Sequence, residues 1–282
     1  MSLTAARGLL ACPHCHQALE IGDRAVTCPS GHSFDVARQG YVNLLGGPAP
    51  ANADTAAMVA ARRRVHAAGV FDAVADAVAR AVTTGFGERW RVSSKGENFP
   101  RRLVEVGAGP ATYLHRCLDD DPSRHGVALD VSRAAARAAA KAYPHIASVI
   151  ADVWHFVPLL DGSADAVLAV FAPRNPVEFA RVLRPGGLLV VVTPTPAHLG
   201  VLRATYGLLD IPSDKEERLG HALADAFEPL ATTTVSYPIE ADTALARDLI
   251  AMGPNAFHDV PKAVDPLTDR IDVTVSVYTA AV

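Results

Sequence analysis

Leu103-Val104-Glu105-Val106-Gly107-Ala108-Gly109-Pro110-Ala111-Thr112-Tyr113-Leu114 is the stretch whose reading decides the fold. A short apolar run closes on an acid and a Gly-x-Gly turn, and an amphipathic run starts at Ala111. In that order a parallel strand hands over to a helix beneath a nucleotide. The glycines let the backbone turn tightly and approach a ligand with no Cβ in the way. Many doubly wound domains carry such a turn, so by itself it does not choose the ligand.

Outward from this turn, apolar runs at 103–106, 126–129, 148–151, 166–170 and 188–192 alternate with helical ones. This predicts an α/β domain with a parallel sheet covered on both faces. Alternating runs at 232–237 and 271–278 fit a closing antiparallel hairpin, which makes seven strands in a Rossmann-like sheet. Asp130 follows Gly109 by about twenty residues, where an acid accepts hydrogen bonds from ribose hydroxyls. NAD and S-adenosylmethionine enzymes share that acid. Thr112 replaces the third glycine of a dinucleotide turn, Glu105 ends the first strand, Asp152 ends the third, and Arg184-Pro185-Gly186-Gly187 precedes the fifth. Together these favour S-adenosylmethionine, with Glu105 toward its methionine end, Gly107, Gly109 and Pro110 beneath it, Asp130 on the ribose and Asp152 on the adenine amino group.

The chain has 282 residues, half of them apolar, enough for one full domain and a smaller module. A net charge of −4 gives no general attraction to nucleic acid, so an RNA partner would need a local basic patch. No apolar run reaches the length of a membrane span and the N-terminal stretch has too short an apolar core for a signal peptide, which predicts a cytoplasmic protein without a membrane partner. Cys12-x2-Cys15-x12-Cys28-x3-His32 has the two-pair layout of a tetrahedral structural zinc site, in a segment too short to hold itself together by its core. His14 and His16 are competing ligands, but choosing them leaves the second pair incomplete. Gly46-Gly47-Pro48-Ala49-Pro50 opens a linker, Asp54-Thr55 caps a helix over 56–68 that Gly69 stops, and a second helix is expected over 71–82. Residues 90–102 read as an exposed loop. The expected division is a zinc module at 1–45, linker and helices at 46–101, and a methyltransferase domain at 102–282. Arg62-Arg63-Arg64, the densest basic cluster, is either a solvated helix face or a phosphate contact on RNA.

The Cys-Pro-x-Cys and Cys-Pro-x-Gly-His pairs, Phe34-Asp35, Gly40-Tyr41-Val42-Asn43-Leu44-Leu45, Phe171-Ala172-Pro173 and Thr193-Pro194-x-Pro196-x-His198-Leu199 resemble the bacterial 23S ribosomal RNA guanine-N1 methyltransferases, which include the tylosin-resistance type. The resemblance runs over most of the chain. It implies methyl transfer to guanine N1 in a 23S rRNA hairpin loop, with macrolide resistance as a consequence, and a homodimer. It also implies cofactor contacts from Phe71, where a tyrosine is also used, and from His198. Phe171 stands at the carboxyl edge of the fourth strand and could stack on an extruded base. The loop lacks the Asn-Pro-Pro-aromatic motif of many exocyclic-amine methyltransferases, which is compatible with a ring nitrogen. No residue is marked as the base that removes the N1 proton; Asp54 and Glu178 are the carboxylates to consider, with solvent as the alternative. Two other readings compete: a small-molecule methyltransferase with a structural zinc ribbon, and a zinc-dependent nucleic-acid-binding protein whose cofactor pocket senses.

Overall fold

The structure, a computed structural model, describes residues 2–89, 101–119, 121, 123–257, 261 and 263–281. The loop expected over 90–102 lies outside these residues apart from its last two positions. A single 3-10 turn (Ser2–Ala6) opens the chain, and β1 (Glu20–Ile21), β2 (Ala25–Thr27) and β3 (Ser33–Asp35) form a small antiparallel sheet. The chain continues through β4 (Tyr41–Asn43), α1 (Ala56–Ala67) and α2 (Asp72–Arg89). Then come β5 (Arg102–Val106), α3 (Thr112–Asp119), β6 (His125–Asp130), α4 (Arg133–Ala142), β7 (Ile146–Ile150) and β8 (Ala164–Val170). The remainder is α5 (Pro176–Val182), β9 (Leu183–Pro194), α6 (Gly200–Tyr206), α7 (Lys215–Leu223), β10 (Phe227–Ala241), α8 (Thr243–Ala251), a further 3-10 turn (Pro254–Phe257) and β11 (Leu267–Ala280).

The large sheet has the order β10-β11-β9-β8-β5-β6-β7-β4. Its strands run parallel except that β11 is antiparallel to both β9 and β10, the closing hairpin expected from the alternating runs. All residues of β7 and β8 are buried, as strands covered on both faces must be. The strand order reverses between β5 and β8, so the loops leaving their carboxyl ends flank a crevice where ligands bind in open α/β sheets.

The seven expected strands are extended by an eighth. β4 pairs in parallel with β7, Val42 opposite Val149, as the chain leaves the ribbon along what would be an open edge. Residues 41–43, expected within the zinc module, therefore lie in the main sheet. Val42 is fully buried there.

Successive residues of a strand face opposite sides, and β5 shows the consequence: Leu103 joins one apolar cluster and Val104 the other. The first cluster lies beneath α2, α3 and α8 around Phe71, Val78, Phe86 and Leu249. The second is closed by Phe179 of α5, Leu219 and Leu223 of α7, and Leu3, Leu9 and Leu10 from the chain start. The ribbon and the large sheet thus share one core. Uncovering each of those leucines costs roughly 1.5–3 kcal/mol, so the first 45 residues cannot be removed without penalty.

Local signals set the helix ends near the site. Thr55 caps α1 by accepting the Met58 N–H at 3.2 Å, and Gly69, at φ +74°, turns the chain beyond it. Phe71 sits one residue before α2 rather than inside it, and α2 runs past the expected end. The polar stretch 214–218 forms the N-cap and first turn of α7.

Candidate active site and metal centre

Four ligand atoms of Cys12, Cys15, Cys28 and His32 lie within 4.8 Å of one another. Cys28 Sγ is 3.3 Å and Cys12 Sγ 3.5 Å from His32 Nδ1, while Cys15 and Cys28 sulfurs are 3.6 Å apart. Tetrahedral zinc with its usual Zn–S and Zn–N lengths needs donors roughly 3.5–3.8 Å apart, so the cluster fits the ion. A zinc ion held by these four protein donors would have no open position, which fits a structural role. His14 and His16 take other roles: His14 tilts against His32 at 5.0 Å, and His16 stacks on Phe156 at 4.3 Å.

The turn after β5 forms a cradle. Gly107 and Gly109 hold φ of +58° and +53°, conformations that side chains resist. A Cβ on Gly107 would lie 2.8 Å from the Ala172 Cβ, so the glycine also lets the turn pack against the loop after β8. Pro110 is buried at the end of the turn. Beneath it, the Glu105 carboxylate accepts the Leu114 N–H at 3.1 Å. Burial pushes Glu105 up to about 8, against the lowering pull of that N–H, and Asp130 adds to the rise. Asp130 accepts the N–H groups of Gly109 and Ser132, each at 2.7 Å, which aims its carboxylate across the cradle. Its pKa is also raised, first by burial. A cationic ligand with ribose hydroxyls suits this pair: it would restore the charge on Glu105 and satisfy the remaining lone pairs of Asp130. Asp152 lies beyond β7, where it accepts the Trp154 N–H at 3.0 Å and meets His155 Nδ1 at 3.0 Å.

Opposite the cradle, aromatic rings from separate elements converge. Phe71 meets Phe171 edge-on at 5.9 Å and His198 at 6.2 Å, and Phe171 meets His198 at 5.8 Å and Tyr113 at 6.4 Å. His66 closes the far side, 5.1 Å from Tyr113 and 5.8 Å from Phe71. Phe171 leaves the buried strand with φ +52° and is 40% exposed, so it does not end in the core. A bulky residue at positive φ is strained, and such strain persists where surrounding structure enforces it. His198 is buried, and the Asp272 N–H donates to its Nδ1 at 3.2 Å. That bond leaves the ring proton on Nε2. Burial first, then Arg203, push the His198 pKa down to about 4; burial and then Arg62 do the same for His66. Both rings are neutral near pH 7.

The arginine triplet does not form one basic face. Successive helical residues point about 100° apart, and acids elsewhere in the fold claim two of the three. Arg62 pairs with Asp54 at 2.6 Å, donates to the Met252 carbonyl, and lies against the cradle, 2.9 Å from where a Gly109 Cβ would stand. Arg64 makes a two-pronged contact with Asp248 of α8 at 2.6 and 2.7 Å. Arg63 is exposed. The two carboxylates considered as bases are likewise engaged: Asp54 by Arg62, and Glu178 by Arg181 at 2.6 Å and the Val157 N–H at 2.8 Å. Sequence reasoning missed His66 and Tyr113, which no motif marks, and Trp154, 63% exposed beside Asp152. The Trp-His pair following Asp152 was the one available signal for the last.

A family model described as RlmA, N-terminal, matches residues 10–50, and a methyltransferase domain model matches residues 104–191. A 23S rRNA (guanine(748)-N(1))-methyltransferase of Streptomyces fradiae is 42% identical over 262 residues, covering 93% of this chain and 89% of that protein. A provisionally named 23S rRNA (guanine-N(1)-)-methyltransferase of Micromonospora griseorubida is 42% identical, covering 96% of each chain. Among solved structures, a SAM dependent methyltransferase from Aquifex aeolicus aligns with a TM-score of 0.42 at 15% identity, covering 65% of this chain and 83% of that one. With its zinc ribbon joined to a methyltransferase sheet, the chain belongs to the 23S rRNA (guanine-N1)-methyltransferase family.

Proposed function

We propose that this protein methylates N1 of a guanine in a 23S rRNA hairpin loop, in the cytoplasm and as a homodimer. The carrying observation is that Gly107 of the cradle packs against Ala172, the neighbour of the exposed Phe171. S-adenosylmethionine supplies an electrophilic methyl group when bound there. Glu105, Gly107, Gly109, Pro110, Asp130, Asp152 and Phe71 would hold it, with Asp130 on the ribose and Asp152 on the adenine.

Phe171 offers a face for an extruded guanine, and neighbouring rings limit water around it. His198 is suited to donate rather than accept, because its Nδ1 is occupied and Nε2 carries the proton. A donor at guanine O6 would stabilise the charge that builds there as N1 loses its proton. As N1 takes up that methyl group its proton would leave to solvent, because Asp54 and Glu178 are held by Arg62 and Arg181. Holding the base in line with the methyl group supplies much of the rate. Among the RNA contacts first considered, Phe171 and Arg63 remain part of this proposal.

The net charge of −4 keeps a small-molecule substrate as the competing reading. Incubating the zinc-loaded protein with methyl-labelled donor and a mixture of 23S rRNA transcript and small aromatic acceptors separates the two. Label in the RNA supports the proposal, and label confined to small molecules contradicts it. Sedimentation of the same sample tests the homodimer. Expression in a macrolide-sensitive host tests resistance.

A further inference from the structure

A cleft lies beside the loop that follows Phe171. It has a volume of about 270 Å³ and lies between the loop after β8 and α7. Arg174, Lys215 and Arg218 line it over an apolar floor that includes Pro176, Pro212 and Leu219. Arg174 stands three positions after Phe171 on the same loop, and the charge of Lys215 is felt at His198. Arg174 thus ties the cleft to the loop that carries Phe171.

Its charge is poorly compensated. Arg218 pairs with Asp214 at 2.9 Å, and Glu216 accepts the Thr274 hydroxyl on the neighbouring strand. Among the described residues, no carboxylate forms an ion pair with Arg174 or Lys215. Lys215 is half-buried, and its pKa falls through burial and then through the like charges of Arg174 and Arg218. Crowding half-buried cations is unfavourable unless an anion completes the group. A phosphodiester does so with oxygens on both sides, and the apolar floor can receive its ribose.

We infer that Arg174, Lys215 and Arg218 form a subsite for an RNA backbone phosphate beside the target guanosine. This assignment rests on the rRNA reading above. It makes the subsite a register device: gripping a phosphate next to the extruded base sets which nucleotide reaches Phe171.

The test uses full-length, zinc-loaded protein and an rRNA hairpin transcript, comparing wild type with R174Q, K215Q, the double variant and R174K. The double variant is expected to raise KM for RNA roughly tenfold. It should also reduce the slope of log KM against log salt by about 0.7–0.9, the loss of one neutralised phosphate. R174K should recover part of the affinity. An unchanged dissociation constant for S-adenosylmethionine shows that the variants are folded. Equal KM and salt slope in wild type and double variant overturn the subsite while leaving the rRNA reading standing. A wild type that transfers no methyl group to RNA overturns both.

Discussion

Glu105→Gln should move stability and cofactor affinity in opposite directions. The carboxyl is fully buried and titrates near 8 rather than at its ordinary 4.5. An acid with a raised folded pKa carries no penalty below the unfolded value, and its penalty grows from there until it levels off above the folded one. Between pH 5 and 8 the cost works out at roughly 3–4 kcal/mol at 1.36 kcal/mol per pKa unit. Gln can still accept the Leu114 N–H but has no charge to desolvate. Buried His66 and His198 impose the opposite slope, losing stability as pH falls from 6.5 toward 4, but they do so equally in both proteins. The cofactor-free melting temperature of wild type should therefore fall relative to E105Q by on the order of ten degrees between pH 5 and 8. Calorimetric titration should give the reverse for binding. Wild type gains affinity for S-adenosylmethionine up to about pH 8 as Glu105 ionises, whereas E105Q binds on the order of tenfold or more weakly with no such pH dependence. Parallel melting curves across this range, or unchanged affinity in E105Q, would refute the assignment of Glu105 to a cationic ligand.

The arginine triplet should separate by function. R62Q should weaken cofactor binding several-fold because the residue lies against the Gly109 turn, whereas R63Q should leave it intact and change only the salt dependence of RNA binding. Stripping zinc with a chelator, or making C28S, should lower the melting temperature of the whole protein in one transition, since Leu3, Leu9 and Leu10 pack in the catalytic core. Two separate transitions would contradict a shared core. H198Q should cut kcat by about tenfold or more without introducing or removing an inflection between pH 6 and 8, because His198 is already neutral there. A wild-type inflection that disappears in H198Q would instead make this histidine the base.

What was legible in the sequence was local. Fully buried strands read as apolar runs, Thr55 and Gly69 bracket α1 through backbone chemistry, and the two zinc pairs declare themselves by spacing. The acids Glu105 and Asp130 could be placed because each lies in the last two residues of a strand next to the glycine turn. What was hidden depends on partners distant in the chain. β4 is three residues long and has no alternation to reveal that Val42 pairs with Val149. The leucines at the chain start look like an unstructured tail until the sheet face they cover is known. Arg62 and Arg64 read as one basic run because Met252 and Asp248, which hold them, lie far downstream. The rings of His66, Phe71, Tyr113, Phe171 and His198 come from separate segments, so no motif could assemble them. Arg174 and Lys215 share a cleft for the same reason.

The central claim is tested most directly by the modified nucleotide itself. The zinc-loaded protein, incubated with S-adenosylmethionine and 23S rRNA, should produce a reverse-transcription stop at a guanine in a hairpin loop. Nucleoside mass spectrometry should identify the product there as N1-methylguanosine. A methyl group on an exocyclic amine, on another ring atom, or on no RNA at all would contradict the account.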